Sequence, residues 1–290
     1  MPIASTLDLV RAAHSRGYAV PAVNIVDDLS IRAVVAAAEA TQSPVILQTS
    51  VKTLKSVGAE LLSAIVHSVG HSATVPVALH LDHCPDRAVI TEAIRHGWSS
   101  VLFDASDRDL ESALEETAQV VAEAHAEGVA VESEIENIIG VEDGVGSDEA
   151  VHSYTIAQLA DAAAQTGADM LAPQLGTAHG LYKASPVLRF DRAKELRALT
   201  DRPVVLHGGT GLTESDFNQF IGAGVSKINI STALKLAYMH SARAHLAEAE
   251  RKDKWEPIKL IDDVAEAVKV MVIEHIELFG SKGKALGVAA

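Results

Sequence analysis

Short apolar runs alternate with amphipathic stretches along almost the whole chain. Strands are predicted at Ala19–Ile25, Pro44–Thr49, Val75–Leu81, Ser99–Phe103, Val129–Ile135, Asp169–Pro173, Pro203–Leu206 and Val225–Ile230, each rich in Val, Ile, Leu or Ala. Between them, apolar residues recur at i, i+3 and i+4 in Leu29–Thr41, Ala59–Val69, Arg87–His96, Leu110–Glu127, Ile156–Gly167, Arg189–Leu199, Glu214–Gly222 and Thr232–Ala249, the spacing of helices with one buried face. The strand runs are nearly all apolar rather than alternating, as parallel strands covered by helices are. Strand–helix units spaced by roughly 25–40 residues predict an α/β fold closed into a (β/α)8 barrel, the TIM barrel, which typically needs about 250 residues. Trp255–Phe279 continues the amphipathic pattern, so a helical extension is expected over about residues 251–290. No linker or low-complexity stretch divides the pattern, and residues 1–290 are expected to form one domain.

Composition narrows the partners. A net charge of −15 argues against nucleic acid, whose phosphates need clustered Lys and Arg. The N-terminal segment lacks an apolar signal core, and no run reaches ~18 uncharged apolar residues, so neither secretion nor a membrane is expected. The single cysteine, Cys84, excludes an internal disulfide and suits a reducing cytoplasm.

Polar residues gather where the predicted strands end. Asn24 ends strand one, Ser50 strand two, Asp82 and His83 strand three, Asp104 strand four and Glu134 strand five. His179 follows strand six, His207 ends strand seven and Asn229 ends strand eight. In a barrel of this kind these positions converge on the carboxyl-terminal mouth, where barrel active sites sit. One histidine at a strand end is more often a hydrogen-bonded surface residue than a ligand, but three around one mouth suit a zinc ion with an open coordination position. His80, just before the pair, reads as structural. Gly208-Gly209-Thr210-Gly211 follows His207, and Asn229-Ile230-Ser231-Thr232 leads into a helix. Loops after strands seven and eight often bind phosphate through backbone N–H groups and a helix N-terminus. Two long loops, Glu136–Tyr154 and Gly176–Pro186, fall on the same rim.

The motifs VPAVNI, LHLDHC, SVLFDAS, VEDG, GTAHGLYK, VLHGGTG, KINIST and the tail FGSKGKA together resemble the zinc-dependent class II ketose-bisphosphate aldolases, the fructose- and tagatose-bisphosphate aldolase type, over nearly the whole chain. The resemblance implies aldol cleavage or condensation of a ketose 1,6-bisphosphate, giving dihydroxyacetone phosphate and an aldehyde such as glyceraldehyde 3-phosphate, in glycolysis or related carbohydrate metabolism. It implies that His83, His179 and His207 hold a catalytic Zn2+, with Asp104 and Glu134 available to a second divalent or monovalent cation. Asp82 is the implied proton carrier for the C4 hydroxyl and Glu142 the implied base toward dihydroxyacetone phosphate. Gly180, Gly208, Gly209, Thr210, Asn229, Ile230, Ser231 and Thr232 would bind the substrate, with Asn24, Ser50 and Lys183 as further candidate contacts. A cytoplasmic homodimer or homotetramer is expected.

The resemblance has departures. Glu136-Asn137 replaces a usual glycine after Glu134-Ile135, and Trp255-Glu256-Pro257-Ile258-Lys259 stands where many members carry a Pro-Arg that meets the aldehyde's phosphate. Lys259 would serve there only as a point charge, without the bidentate fork. A different ketose 1-phosphate, yielding an unphosphorylated or modified aldehyde, is therefore the alternative substrate. A Schiff-base aldolase on the same fold would need a buried lysine, commonly on strand six, and Asp169–Gly176 has none. A non-catalytic sugar-phosphate-binding barrel would be expected to have lost Asp82 or a histidine first.

Overall fold

The computed structural model describes residues 3–143, 145–147, 149, 151–182 and 185–285. Eight parallel strands close into a barrel: β1 (Val20–Asn24), β2 (Val45–Ser50), β3 (Val77–Cys84), β4 (Ser100–Asp104), β5 (Ala130–Glu134), β8 (Met170–Leu171), β9 (Val204–Leu206) and β10 (Val225–Ile230). Closure comes from β10 pairing with β1, with Val20 opposite Lys227 and Ala22 opposite Asn229. The (β/α)8 barrel and its C-terminal helical extension are thus both present. Two short strands missing from the sequence reading, β6 (Gly140–Glu142) and β7 (Val145–Ser147), form an antiparallel hairpin in the loop after β5.

Helices α2 (Asp28–Thr41), α4 (Ala59–Ser72), α5 (Arg87–Arg95), α6 (Leu110–Ala126), α7 (Ile156–Thr166), α8 (Phe190–Leu199), α9 (Glu214–Gly222) and α10 (Thr232–Lys252) form the outer layer, with the short α3 (Val51–Val57) before α4. Their starts follow local chemistry. Asp27, Thr155 and Thr213 each accept from the N3 backbone N–H of α2, α7 and α9, while the N3 side chain answers the cap's own N–H, so two orphan donors are satisfied at each end. The extension is α11 (Pro257–Leu278), opened by a proline in the first turn, where no intrahelical N–H is lost. It buries Val264, Val268, Met271, Val272 and Ile276, a stripe at helical spacing that packs on α2 and α10. Each such side chain contributes roughly 1.5–3 kcal/mol of transfer free energy. No helix among the described residues is long and apolar enough to cross a membrane.

A further helix, α1 (Thr6–Arg16), precedes the barrel. Its Leu9, Val10 and Ala13 pack with Val20, Ala22, Ile46, Ala78, Ala130, Met170 and Val205 in an apolar cluster separate from the shell between strands and helices. The backbone N–H of Ala4 reaches Val77 O at the start of β3, which sets α1 across the amino-terminal end of the barrel.

The strands, read from sequence as nearly all apolar, are polar along part of their inner face. Alternate residues of a strand share a face, and the inner row changes character along each one. Ala22 is followed by Asn24, Ile46 by Gln48, Ala78 by His80 and Asp82, Ala130 by Glu132 and Glu134, and Val205 by His207. The outward residues Val23, Leu47, Leu79, Leu81, Val131, Leu206 and Ile228 stay apolar and belong to the shell. Small apolar groups therefore fill the closed end of the barrel, and buried polar groups fill the open end.

At the centre of that polar layer, Lys227 Nζ donates to Glu132 Oε2 at 2.8 Å with both side chains fully buried. A buried ion pair is costly to break on one side only, because the other charge is left without water or partner. Lys227→Met should lower the unfolding free energy of the metal-free protein by about 3–5 kcal/mol in urea titrations. The double replacement Lys227→Met/Glu132→Gln should recover a large part of that loss.

Candidate active site

Asp82 and His83 are neighbours, and regular alternation would turn only one of them inward. The backbone resolves this at His83, whose φ of 42° lies in the left-handed region, and the β3–β4 register shifts between Leu81 and Cys84. Such a conformation costs a non-glycine residue about 1–3 kcal/mol and tends to persist at functional sites. It brings both Asp82 and His83 to the mouth and turns Cys84 into the outer shell. The Cys84 thiol is buried, donates to Asp86 O, and is pushed up to about 12 by burial. It stands apart from the histidines and is not a candidate ligand.

His83, His179 and His207 come together, each offering a nitrogen within 4.8 Å of the others. Hydrogen bonds assign the tautomers. His207 Nε2 lies 2.8 Å from Glu132 Oε1, so it carries the proton and Nδ1 keeps a lone pair. His83 Nδ1 lies 3.3 Å from Asp104 Oδ2, leaving Nε2 as its free nitrogen. These two nitrogens, His207 Nδ1 and His83 Nε2, are 2.9 Å apart. Two lone pairs cannot face each other so closely without a cation, proton or metal, between them. Burial disfavours a charge on His83, yet Glu134, Asp82 and Asp104 outweigh it and hold His83 well above the usual imidazole range. Burial and the neighbouring His83 hold His207 well below it.

His83 also joins a second group with Asp104 and Glu134. Asp104 is fixed by Ser106, whose backbone N–H and hydroxyl both donate to Oδ1. Glu134 Oε1 accepts from Ile138 N, whereas its buried Oε2 has no hydrogen-bond partner and lies 3.6 Å from His83 Nδ1. An orphaned carboxylate oxygen beside an imidazole and a second carboxylate is the donor set of a cation site.

Asp82 is oriented by two amides. Asn24 Nδ2 donates to its Oδ2 at 2.9 Å and Asn229 Nδ2 to its Oδ1 at 3.1 Å. Each amide is locked in turn, Asn24 Oδ1 by Gln48 Nε2 and Asn229 Oδ1 by Lys227 Nζ, both at 2.8 Å. Burial favours the neutral acid, but His83, His207, Lys227 and the Asn24 bond prevail and keep the Asp82 carboxyl below its usual range. Asp82 is therefore an ionised carboxylate, a hydrogen-bond acceptor with spare lone pairs.

The glycine loop lies against the loop that carries His179. Gly208 has φ 68°, and a Cβ there would sit 2.4 Å from Ala178 O, so only glycine lets the two loops touch. Tyr182 clamps the same junction, accepting from Ala178 N and donating to Gly208 O. Thr210 and Gly209 continue this loop. Across the mouth, Ser231 precedes α10 without capping it, and its buried Oγ has no partner, while Thr232 is the first residue of the helix. Asn229 serves Asp82, and the Ile230 side chain belongs to the outer shell, so only its backbone faces this region. Ser50 caps α3, accepting from Thr53 N at 3.2 Å. Gly180 follows His179 with φ 84°. Glu142 has its backbone in β6, whereas its side chain, like Lys183, lies outside the described residues. Lys259 is taken up by Asp263 on its own helix.

Sequence reasoning missed Glu132, Lys227 and Gln48, which hold the site residues in place. The signal was available: a charged or amide residue two positions before Glu134, Asn229 and Ser50 lies on the same strand face as each of them. His80, buried on the same inner row, donates or accepts at Ser100 Oγ and sits 3.6 Å from Glu132. A buried lysine does exist, on β10 rather than strand six, but Lys227 is an ammonium donating to Glu132 and Asn229, which is not the free amine a Schiff base requires.

The sequence profile described as Fructose-bisphosphate aldolase class-II matches residues 4–284. A fructose-bisphosphate aldolase of Streptococcus pneumoniae serotype 4 is 37% identical over 301 residues, covering 98% of this chain and all of its own. A sulfofructosephosphate aldolase of Alkalicoccus urumqiensis is 35% identical over 278 residues, with 96% of both chains covered. Among solved structures, the YdjI aldolase of Escherichia coli K12 superposes with a TM-score of 0.83 at 31% identity, over 98% of this chain and 99% of its own. With its barrel, its convergent histidines and full-length relatives of this kind, the chain belongs to the class II fructose-bisphosphate aldolase family.

Proposed function

We propose that this aldolase is zinc-dependent and cleaves, or in reverse forms, a ketose 1,6-bisphosphate of the fructose or tagatose type. The observation that carries the reading is the pair of imidazole nitrogens facing each other 2.9 Å apart beside His179, each with its other nitrogen committed to a carboxylate. Three imidazoles with a further position open are the donor set of a catalytic zinc, which would take the place of the proton between His83 and His207. Zinc bound there supplies Lewis-acid polarisation of the substrate's ketone oxygen, which stabilises the charge left when the C3–C4 bond breaks. Asp104, Glu134 and His83 are the residues for a second cation.

The remaining steps fall to the chain's own groups. In cleavage, Asp82 accepts the proton of the C4 hydroxyl as that carbon becomes an aldehyde, and in condensation it returns the proton. Asn24 and Asn229 hold the carboxylate still for this transfer. The backbone of Gly208–Thr210, the Ser231 hydroxyl and the N-terminus of α10 receive the phosphate of dihydroxyacetone phosphate, the last through the helix's unpaired N–H groups. Glu142, whose backbone is in β6, exchanges a carbon-bound proton of dihydroxyacetone phosphate, and Gly180 and Lys183 are further substrate contacts.

A second reading concerns only the aldehyde. Lys259 is engaged by Asp263, and a relative of 35% identity is named a sulfofructosephosphate aldolase. Both favour an aldehyde end that is modified or unphosphorylated. Dihydroxyacetone phosphate offered with a panel of aldehydes, phosphorylated, sulfonated and neutral, separates the readings by product configuration and relative kcat/KM.

We also read the protein as a homo-oligomer acting in the cytoplasm on a sugar phosphate. Trp255 at 61% exposure, Ile258 at 70% and Leu246 at 47% cluster around the turn between α10 and α11. Sedimentation velocity giving a mass of one 30.5 kDa chain would sink the oligomer.

Removing the metal with EDTA should abolish cleavage, and stoichiometric zinc should restore it; full activity after verified metal removal rules the zinc reading out. Asp82→Asn should retain zinc by metal analysis yet lose ~10²–10⁴-fold in kcat. Undiminished turnover would remove Asp82 from its role.

A further inference from the structure

His179 differs from the other two histidines in how it is held. His83 lies within β3 and His207 directly follows β9, whereas β8 ends at Leu171 and His179 lies in the loop beyond it. No barrel ladder fixes its position. Its backbone is instead held by the loop after β5, where His179 N donates to Ile139 O at 2.8 Å and Ile139 bridges to Ala178. Contact continues at Gly140, where φ is 104° and a Cβ would lie 2.9 Å from His179 O and 3.0 Å from His179 N. The β6–β7 hairpin grows directly out of this junction, since Ile139 also bridges to Ser147.

The root of that loop is anchored with more buried polar contacts than a turn requires. The Glu136 side chain is fully buried, and both its oxygens accept from Arg192 Nη2 on α8, at 2.9 and 2.7 Å. The same two oxygens accept from Tyr154 N at 2.7 Å and Gln174 N at 3.1 Å, and Arg192 Nη1 donates to Tyr154 O. One carboxylate thus ties together the loop's far end, the segment after β8 that leads to His179, and α8. Next to it, Asn137 brackets the returning segment, donating to Glu149 O and accepting from Val151 N, both at 2.7 Å. Ile139 lies only three residues from Glu136 and two from Asn137, so a shift of the root is passed on to it.

We propose that the Glu136–Arg192 ion pair, with Asn137, positions His179: by fixing the root of the 137–154 loop it sets the Ile139–His179 pairing and so the third nitrogen of the histidine triad. The hairpin bearing Glu142 and the metal site are then coupled, and whatever loosens one loosens the other, since coupling between two equilibria is reciprocal. These are positioning residues that touch neither substrate nor metal. The inference rests on the reading of the three histidines as a metal site.

The test uses the full chain carrying Arg192→Lys, which keeps the charge and gives up the guanidinium geometry. Zinc affinity is read by competition with a chromogenic chelator, alongside thermal unfolding of the metal-free protein. Folded Arg192→Lys should bind zinc ~10- to ~100-fold more weakly, the range seen when a residue that orients a metal ligand is changed. At saturating zinc it should lose kcat more than it raises KM. Asn137→Ala, which leaves the ion pair intact, should weaken zinc in the same direction, and it decides the matter alone if Arg192→Lys does not fold. A purely structural ion pair would lower the melting temperature and leave the affinity of the folded protein within twofold of wild type, and that result overturns the proposal. If the wild type itself binds no zinc, the metal reading falls and the positioning role falls with it.

Discussion

The burial of ionised groups inside the open end of the barrel is the constraint on which the rest of the site depends. Glu132 and Lys227 are fully inaccessible, and each charge removed from water must be met by a partner of opposite sign and by hydrogen bonds for its remaining lone pairs or protons. The strands meet this demand with one continuous chain of contacts, from Gln48 through Asn24 to Asp82, then through Asn229 and Lys227 to Glu132 and His207. Each amide in it donates to the next group, so Asp82 and the candidate metal ligand His207 are set by the same network. The connected part of the layer favours a single arrangement of Asp82 and His207, while the buried Glu134 Oε2, left without a hydrogen-bond partner, marks where the layer stays open to a ligand.

That layer is tolerable because the other end of the barrel is apolar and closed. Below Asn24, Gln48, His80, Glu132 and His207 the inner row turns to Ala, Val and Ile, and α1 covers it with Leu9, Val10 and Ala13. Water is thereby kept to the mouth side. The same division accounts for the tight backbone at the mouth. Left-handed His83 and the glycines at 140 and 208 lie where loops must approach one another closely, on a scaffold rigid enough to hold strained backbone in place.

Much of this was legible in the sequence, and the reasons are physical. Helix and strand periods are dictated by which faces are buried, so the eight units and the extension could be read from apolar spacing. The strand-end residues could be read because barrel topology carries every strand end to one rim. The inner charged row was less visible, since Glu132 and Lys227 sit within runs of valine and isoleucine whose outward faces dominate the pattern. Asking which residues share a face with Glu134 and Asn229 would have exposed both. The β6–β7 hairpin and the anchor at Glu136 were hidden for another cause. Their partners, Arg192, Gln174 and His179, lie tens of residues away, and no local propensity encodes a contact between two loops. Ile230 shows that a motif position need not act through its side chain, which here faces the shell.

His179 follows from the same reasoning. His83 lies within β3 and His207 directly follows β9, so the barrel strands themselves set where both stand. A ligand carried on a loop has no such strand, and the fold must supply another support. Here it borrows two, the Ile139 backbone on one side and the Gly208 turn with Tyr182 on the other. The cost is dependence on residues far from the mouth. The gain is that a segment outside the barrel is held in register with the three histidines. On the proposed reading, proton carrier and polarising centre then sit on rigid strands, while the group that must approach and leave the substrate is tied to the one ligand that can respond to it.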